Sequence, residues 1–281
     1  MNRMTRTSGL RRLASLSFVA ALALAVVAPA GAAATTIAPV SAATISAAEA
    51  AMVQALNANR RALGLVPVFI DSRLMAIARA RSADMIARNY FSHSIPGGGN
   101  VFSILTAKQI TWYNAGEIIA WNNYPMDSTV SAANRQWMNS PGHKAIVISK
   151  DYNYVGVGLA IDPATGKKMW TAVYLKGPDR TAARATVAGV ALSSGTTATT
   201  RRARLTWTGY DPKLQVLTAG LAGFTIQRRI DGGAWSTAVT LTTLTYTNFT
   251  VHMGRLTEFR VAARDKRGNQ GAWSMKSVDL R

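Results

Sequence analysis

The sequence predicts an α+β domain followed by an all-β sandwich. Up to about residue 150, apolar residues recur at the three- and four-residue spacing of helices; after residue 181, short segments alternate apolar and polar residues between glycine-rich turns. The chain has 281 residues, of which 48% are apolar and 16% charged, so each part is long enough to bury its own core.

The first 32 residues have the pattern of a secretory signal peptide. Four arginines precede an uncharged run from Leu13 to Val27, and small residues suited to cleavage follow. The run is shorter than the ~18 to 20 apolar residues that span a bilayer, so we expect cleavage rather than a membrane anchor. The mature protein is then secreted, extracellular or wall-associated, and has no transmembrane segment. Residues 33–45 are predicted to form a linker.

Cysteine is absent, which excludes disulfides, a thiolate nucleophile and any cysteine metal site. The net charge is +19, of which +6 falls in residues 33–180 and +9 in residues 181–281. Outside a cell, such a charge favours contact with anionic wall polymers, lipid head groups or released nucleic acid. Solubility alone accounts for the charge equally well.

The predicted first domain covers residues 46–180 and begins with helices. Ser46 and Glu49 predict a capping box for a first helix that Gly64 ends, and Asp71 predicts the cap of a second helix. Three further helix starts are predicted at Asn100, Asp127-Ser128 and Ser140-Pro141.

Strands follow these helices. Tyr154–Ala160 and Lys168–Leu175 read as a hairpin joined by a turn, and Ile118–Trp121 is a further extended segment. Residues 181–200 are predicted to form a linker and a first strand region, and residues 201–281 a β-sandwich. Its predicted strands are Arg204–Thr208, Gly223–Ile230, Trp235–Leu241, Tyr246–Val251 and Glu258–Arg264.

The clearest chemical pattern is the order His93, Glu117, His143, in a chain with three histidines and three glutamates. These residues lie in a series of short strings: Phe91-Ser92-His93, Gly116-Glu117, Trp137-Met138-Asn139-Ser140, His143 and Val155-Gly156-Val157-Gly158. In this order the strings resemble the CAP superfamily of cysteine-rich secretory, antigen 5 and pathogenesis-related proteins, whose domain is also called SCP. The resemblance covers about Ala47 to Leu175 and, without cysteines, is closest to the bacterial branch.

The CAP resemblance implies an α-β-α sandwich with a central cavity. In that family two histidines and two glutamates line the cavity, which often holds a divalent cation. Here Ser140 stands at the second glutamate position, so the resemblance implies a cavity of His93, Glu117, His143 and Ser140. Two imidazoles and a carboxylate suit a divalent cation such as zinc or magnesium, with His93, His143 and Glu117 as ligands.

Other interpretations of these residues stay open. Glu117 can orient one histidine for acid-base work without a metal, or the triad can be purely structural. Four aromatic residues flank Glu117 and can form the wall of a groove for sugar or lipid, or pack in the core: Trp112, Tyr113, Trp121 and Tyr124.

The second domain resembles a bacterial fibronectin type III module. The resemblance rests on Leu205-Thr206-Trp207, Phe224–Arg228 and Phe259–Ala263, and Thr257 stands where that family has its corner tyrosine. Arg201-Arg202 and Arg228-Arg229 mark candidate basic surfaces.

Together these observations predict a secreted, monomeric, non-enzymatic binding protein of the cell surface or wall. The expected partners are an anionic wall polymer, a glycan or a lipid, and no specific nucleic acid. One alternative is a metal-dependent hydrolase of peptide or wall material with Glu117 as base, and another is a lipid or sterol carrier. A serine hydrolase is not expected, because the sequence lacks Gly-x-Ser-x-Gly.

Overall fold

The computed structural model describes residues 40–281. The predicted signal peptide and the first part of the predicted linker lie outside these residues. The helices are α1 (Ala42–Arg61), α2 (Ser72–Ala87), α3 (Val101–Ala107), α4 (Thr129–Asn139) and α5 (Pro141–Val147). Within the described residues, no helix combines the length and apolar character that crossing a membrane requires.

The strands of the first domain are β1 (Phe69–Ile70), β2 (Asn114–Asn122), β3 (Tyr154–Ile161) and β4 (Lys168–Lys176). Those of the second are β5 (Arg184–Ser194), β6 (Thr200–Tyr210), β7 (Leu221–Ile230), β8 (Ser236–Thr242), β9 (Tyr246–His252), β10 (Leu256–Asp265) and β11 (Ser274–Asp279).

Helix α1 begins earlier than the sequence predicts. Its N-cap is Ser41, whose hydroxyl accepts a hydrogen bond from the amide of Thr44, so Ser46 lies inside the helix. The predicted capping box of Ser46 and Glu49 is therefore wrong, and the predicted linker overlaps the first turn of α1. Glu49 faces the core instead, where it pairs with Arg79 and accepts a hydrogen bond from a β3 amide.

The other predicted helix starts are close to the observed ones. Asp71 and Asn100 cap α2 and α3 through side-chain hydrogen bonds, and Pro141 occupies the first position of α5. Ser128 precedes α4 without a side-chain capping bond.

The first domain is an α-β-α sandwich, as predicted. Its sheet has the order β1-β3-β4-β2, in which β3 and β4 form the predicted antiparallel hairpin and β2 pairs with β4. One core lies between this sheet and helices α1 and α4, and a second contains residues of α2 and α3. Strand β2 is longer than the predicted segment Ile118–Trp121, since it begins at Asn114 and includes Glu117.

The second domain is an all-β sandwich of a three-stranded sheet, β5-β6-β9, and a four-stranded sheet, β11-β10-β7-β8. Strands β5 and β11 were not predicted as full strands. Most of the segment 181–200 is strand β5, paired along its length with β6. The small residues of this segment are also typical of a linker. Only the pairing with β6 shows that the segment is a strand.

A loop of the second domain completes the core of the first. Leu214, between β6 and β7, is 1% exposed and belongs to the same apolar cluster as Leu74 and Ile77 of α2. Beside it, the Gln215 side chain accepts a hydrogen bond from the Val66 amide. The two domains therefore share buried contacts.

Candidate functional site

Glu117 lies on β2, and both of its carboxylate oxygens are engaged. Oε1 accepts a hydrogen bond from Nε of Arg81 at 2.8 Å, and Oε2 lies 2.8 Å from Nδ1 of His93. Arg81 also donates to the hydroxyl of Tyr90 and to the backbone carbonyl of Ser92, which fixes the segment leading to His93. The result is an Arg81–Glu117–His93 chain of charge-assisted hydrogen bonds.

Arg81 is the member of this chain that sequence reasoning missed, because an arginine on a helix is ordinarily expected on the solvated side. Its side chain is 1% exposed. The signal was its position: Arg81 falls seven residues after Leu74 and four before Met85, within the buried stripe of the helix. A charged residue at such a position demands a buried partner of opposite charge.

His143 lies in the first turn of α5, and its ring centroid is 6.5 Å from that of His93. Burial, and then the charge of the nearby His93, lowers the pKa of His143 below its ordinary value. His143 is therefore neutral at neutral pH. Ser140, immediately before α5, lines the same cavity as His143.

This cavity has a volume of about 560 Å³ and is open to solvent. Trp121 and Tyr124 line it with exposed fractions of 44% and 52%. Trp137 also lines it and is fully buried, and its Nε1 has no hydrogen-bond acceptor among the described residues. The polar side chains of the wall are Asn122, Asn123, Gln136, Ser140 and His143.

The four predicted groove aromatics do not form one groove. Trp121 and Tyr124 line the cavity beside His143, whereas Trp112 packs against the core cluster of α2 and stacks on Phe102. Tyr113 is 58% exposed and lies outside that cavity. His93 and Glu117 line a second, smaller cavity of about 250 Å³.

Residues 53–174 match the model of the CAP family, described as the cysteine-rich secretory protein family. This part of the chain belongs to the CAP family. The match lies within the segment over which the sequence motifs showed the resemblance, and the first domain, with helices α1 to α5 and strands β1 to β4, is called the CAP domain below.

Two curated relatives of the CAP domain are proteins of Bacillus subtilis (strain 168). The uncharacterized protein YkwD is 37% identical over 107 residues, which are 38% of this chain and 40% of that protein. The uncharacterized membrane protein YlbC is 32% identical over 103 residues, covering 37% of this chain and 29% of that protein. The chain thus spans less than half the length of either relative.

Among solved structures, this chain is similar to two bacterial proteins. One is an outer surface protein of Borrelia burgdorferi, with 18% identity over 47% of this chain and 93% of the other and a TM-score of 0.41. The second is an extracellular SCP-domain protein of Bacillus anthracis, with 24% identity over 50% of this chain and 45% of the other and a TM-score of 0.42.

The arrangement of the CAP triad does not fit a bound divalent cation. A metal site needs its ligand atoms gathered around one point. His93, Glu117 and His143 do not bring three such atoms within 4.8 Å of one another, and both oxygens of Glu117 already have partners. Of the predicted zinc or magnesium ligands, Glu117 and His93 are therefore hydrogen-bonded to each other, whereas His143 lies beside them with its ring centroid 6.5 Å from that of His93.

In the described part of the chain, a different group of side chains can hold a metal ion. The carboxylate oxygens of Asp179, Asp211 and Asp265 lie within 4.8 Å of one another. Asp179 and Asp265 are 2% exposed, and no ion pair formed by the described residues includes any of the three. Burial, together with the charges of the other two aspartates, raises the pKa of Asp211 even though Gly220 donates a hydrogen bond to it.

Proposed function

We propose that the protein is a secreted, non-enzymatic binding protein whose CAP domain binds a wall saccharide in the cavity beside His143. The signal-like pattern of residues 1–32 supports export. The wall of the cavity supports a saccharide ligand.

The observation that carries this proposal is the composition of the cavity wall. Trp121 and Tyr124 present partly exposed rings, and the amide side chains of Asn123 and Gln136 lie in the same wall. Aromatic rings pack against the apolar faces of sugars, and amides donate and accept hydrogen bonds with hydroxyl and acetamido groups.

The geometry of Glu117 supports binding over catalysis. A general base needs an oxygen that can reach a water or a substrate proton. Arg81 and His93 hold the two oxygens of Glu117, so this carboxylate orients His93 and stabilises the fold. The hydrolase and lipid-carrier alternatives have no comparable observation in their favour.

Isothermal titration calorimetry with a soluble chitin oligosaccharide and a muramyl-peptide fragment tests the proposal. We expect the wild type to bind at least one probe and Trp121→Ala to weaken that binding about tenfold or more, which corresponds to ~1.4 kcal/mol. Tyr113→Ala is the matched control, because Tyr113 is an exposed aromatic residue outside the cavity.

The probes are examined by mass spectrometry after incubation with the wild type. Recovery of the unchanged probe agrees with a binding protein, whereas cleavage would support the hydrolase alternative. If neither probe binds, or if Tyr113→Ala weakens binding as much as Trp121→Ala, the saccharide cavity is wrong.

A further inference from the structure

The outer face of the three-stranded sheet of the second domain carries unpaired arginines. Along β6, Ala203, Leu205 and Trp207 are buried against the other sheet, whereas the alternating residues Arg202 and Arg204 are exposed. The register places Arg184 of β5 opposite Tyr210 of β6, so Arg184 lies on the same outer face. We call this surface, with Arg184, Arg202 and Arg204, the arginine face.

The arginine face has no compensating negative charge. Strands β5, β6 and β9 contain no aspartate or glutamate. None of its three arginines forms an ion pair with a described residue. The other candidate basic surface differs, because Arg229 of β7 makes two hydrogen bonds to Glu258 and its guanidinium lies 4.6 Å from the ring centre of Trp235.

Neighbouring side chains order this face and add hydrogen-bonding groups. The guanidinium of Arg204 lies over the ring of Tyr246, 4.1 Å from its centre. In the register with β9, Thr250 is opposite Arg202 and Asn248 is opposite Arg204, and both are exposed. Arg202 and Arg204 are two residues apart on one strand, so their backbones are about 7 Å apart along it.

We infer that the arginine face binds a linear polyol-phosphate polymer of the cell wall. A guanidinium matches phosphate oxygens through two parallel N–H donors, and two arginines in line can contact successive phosphates of an extended chain. The surface is uniformly positive, which matches a flexible anionic chain.

The same surface favours a polymer without bases over nucleic acid. Proteins that bind single-stranded nucleic acid supply aromatic rings on which bases stack. The arginine face has Tyr246, whose ring Arg204 covers, and Tyr210 at the far end of β6. The inference rests on the extracellular location in the proposed function and is independent of the saccharide cavity.

The test measures binding of a lipid-free glycerol-phosphate polymer to the full mature chain by calorimetry at low and physiological salt. We expect Arg202→Ser/Arg204→Ser to weaken binding about tenfold or more. Lys108→Ser/Lys150→Ser is the matched control, because it removes the same charge from exposed positions of the CAP domain, and it should retain nearly wild-type affinity. Arg202→Lys/Arg204→Lys should weaken binding by an intermediate factor, because lysine keeps the positive charge but lacks the two parallel N–H donors of the guanidinium.

Three outcomes would overturn the inference. Equal losses in the serine variants of both domains would mean that net charge alone attracts the polymer. A mixed-sequence single-stranded DNA that binds more tightly and displaces the polymer would assign the face to nucleic acid. If the wild type does not bind the polymer at low salt, the proposed role of the arginine face is wrong. Trp121→Ala should leave polymer binding unchanged, so failure of the saccharide cavity and failure of the arginine face are distinguishable.

Discussion

Nε of Arg81 lies 2.8 Å from Oε1 of Glu117, and neither side chain exposes more than 2% of its surface. This buried ion pair joins α2 to the sheet and, through the second oxygen of Glu117, holds His93. Removing one partner leaves the other charge buried without compensation.

Arg81→Gln is therefore expected to lower the free energy of unfolding by about 3–5 kcal/mol, measured by urea denaturation. Arg88→Gln is the control, because Arg88 pairs with Asp84 on the surface and such pairs contribute about 1 kcal/mol or less. Similar losses in the two variants would contradict a special role for the buried pair.

The pKa of His143 predicts a pH dependence of stability. The unfolded chain takes up a proton at His143 as the pH falls through about 6.5, whereas the folded chain does so only at lower pH, because burial and His93 lower this pKa. The free energy of unfolding should therefore fall as the pH is lowered below about 6.5. His143→Gln should show a shallower decrease in thermal melts over the same range, and His252→Gln, an exposed variant, should behave like the wild type.

At Gly158, the contact between α2 and β3 leaves no space for a side chain. A Cβ at Gly158 would lie 2.1 Å from the backbone nitrogen of Arg79, so Gly158→Ala must push the helix away from the sheet. We expect a loss of roughly 2–3 kcal/mol in urea unfolding. Gly142→Ala is the control, because a Cβ at that position in α5 meets no atom within 4 Å, and it should be neutral or stabilising.

Asp179, Asp211 and Asp265 lie close together at the junction of the domains. We expect the negative charge of Asp211 to destabilise the folded protein when no cation is bound. Burial, and then the repulsion from Asp179 and Asp265, raises the pKa of Asp211. In the presence of a chelator, Asp211→Asn should therefore raise the free energy of unfolding at neutral pH by roughly 1 kcal/mol. A matched variant on the surface, Asp162→Asn, should not stabilise the protein, and a destabilised Asp211→Asn would contradict the repulsion argument.

The sequence predicted the fold of the CAP domain well where local signals agree with packing. Asp71, Asn100 and Pro141 mark helix starts by their own chemistry, and these starts are observed. The string that contains Gly156 and Gly158 carried the family resemblance, and the structure gives its physical cause: the backbone of α2 lies too close to β3 for any side chain.

The candidate site was only partly predictable. The motifs identified His93, Glu117 and His143, but the distances among them depend on how β2, α5 and the loop after α2 pack together. Arg81 lies in the buried stripe of α2, but its partner, Glu117 of β2, can be identified only from the folded structure. Similarly, Asp179, Asp211 and Asp265 are far apart in the sequence and meet only in the folded chain.

The burial of Leu214 in the CAP core has a mechanical consequence. A load applied to the second domain, for example by a polymer under tension, reaches the first domain through a packed apolar contact as well as through the connecting backbone. Extending the chain at this junction requires Leu214 to leave the cluster of Leu74 and Ile77, which exposes apolar surface to water. We therefore expect the contact between the two domains to resist stretching up to a threshold force and then to separate in one step, unlike a flexible linker.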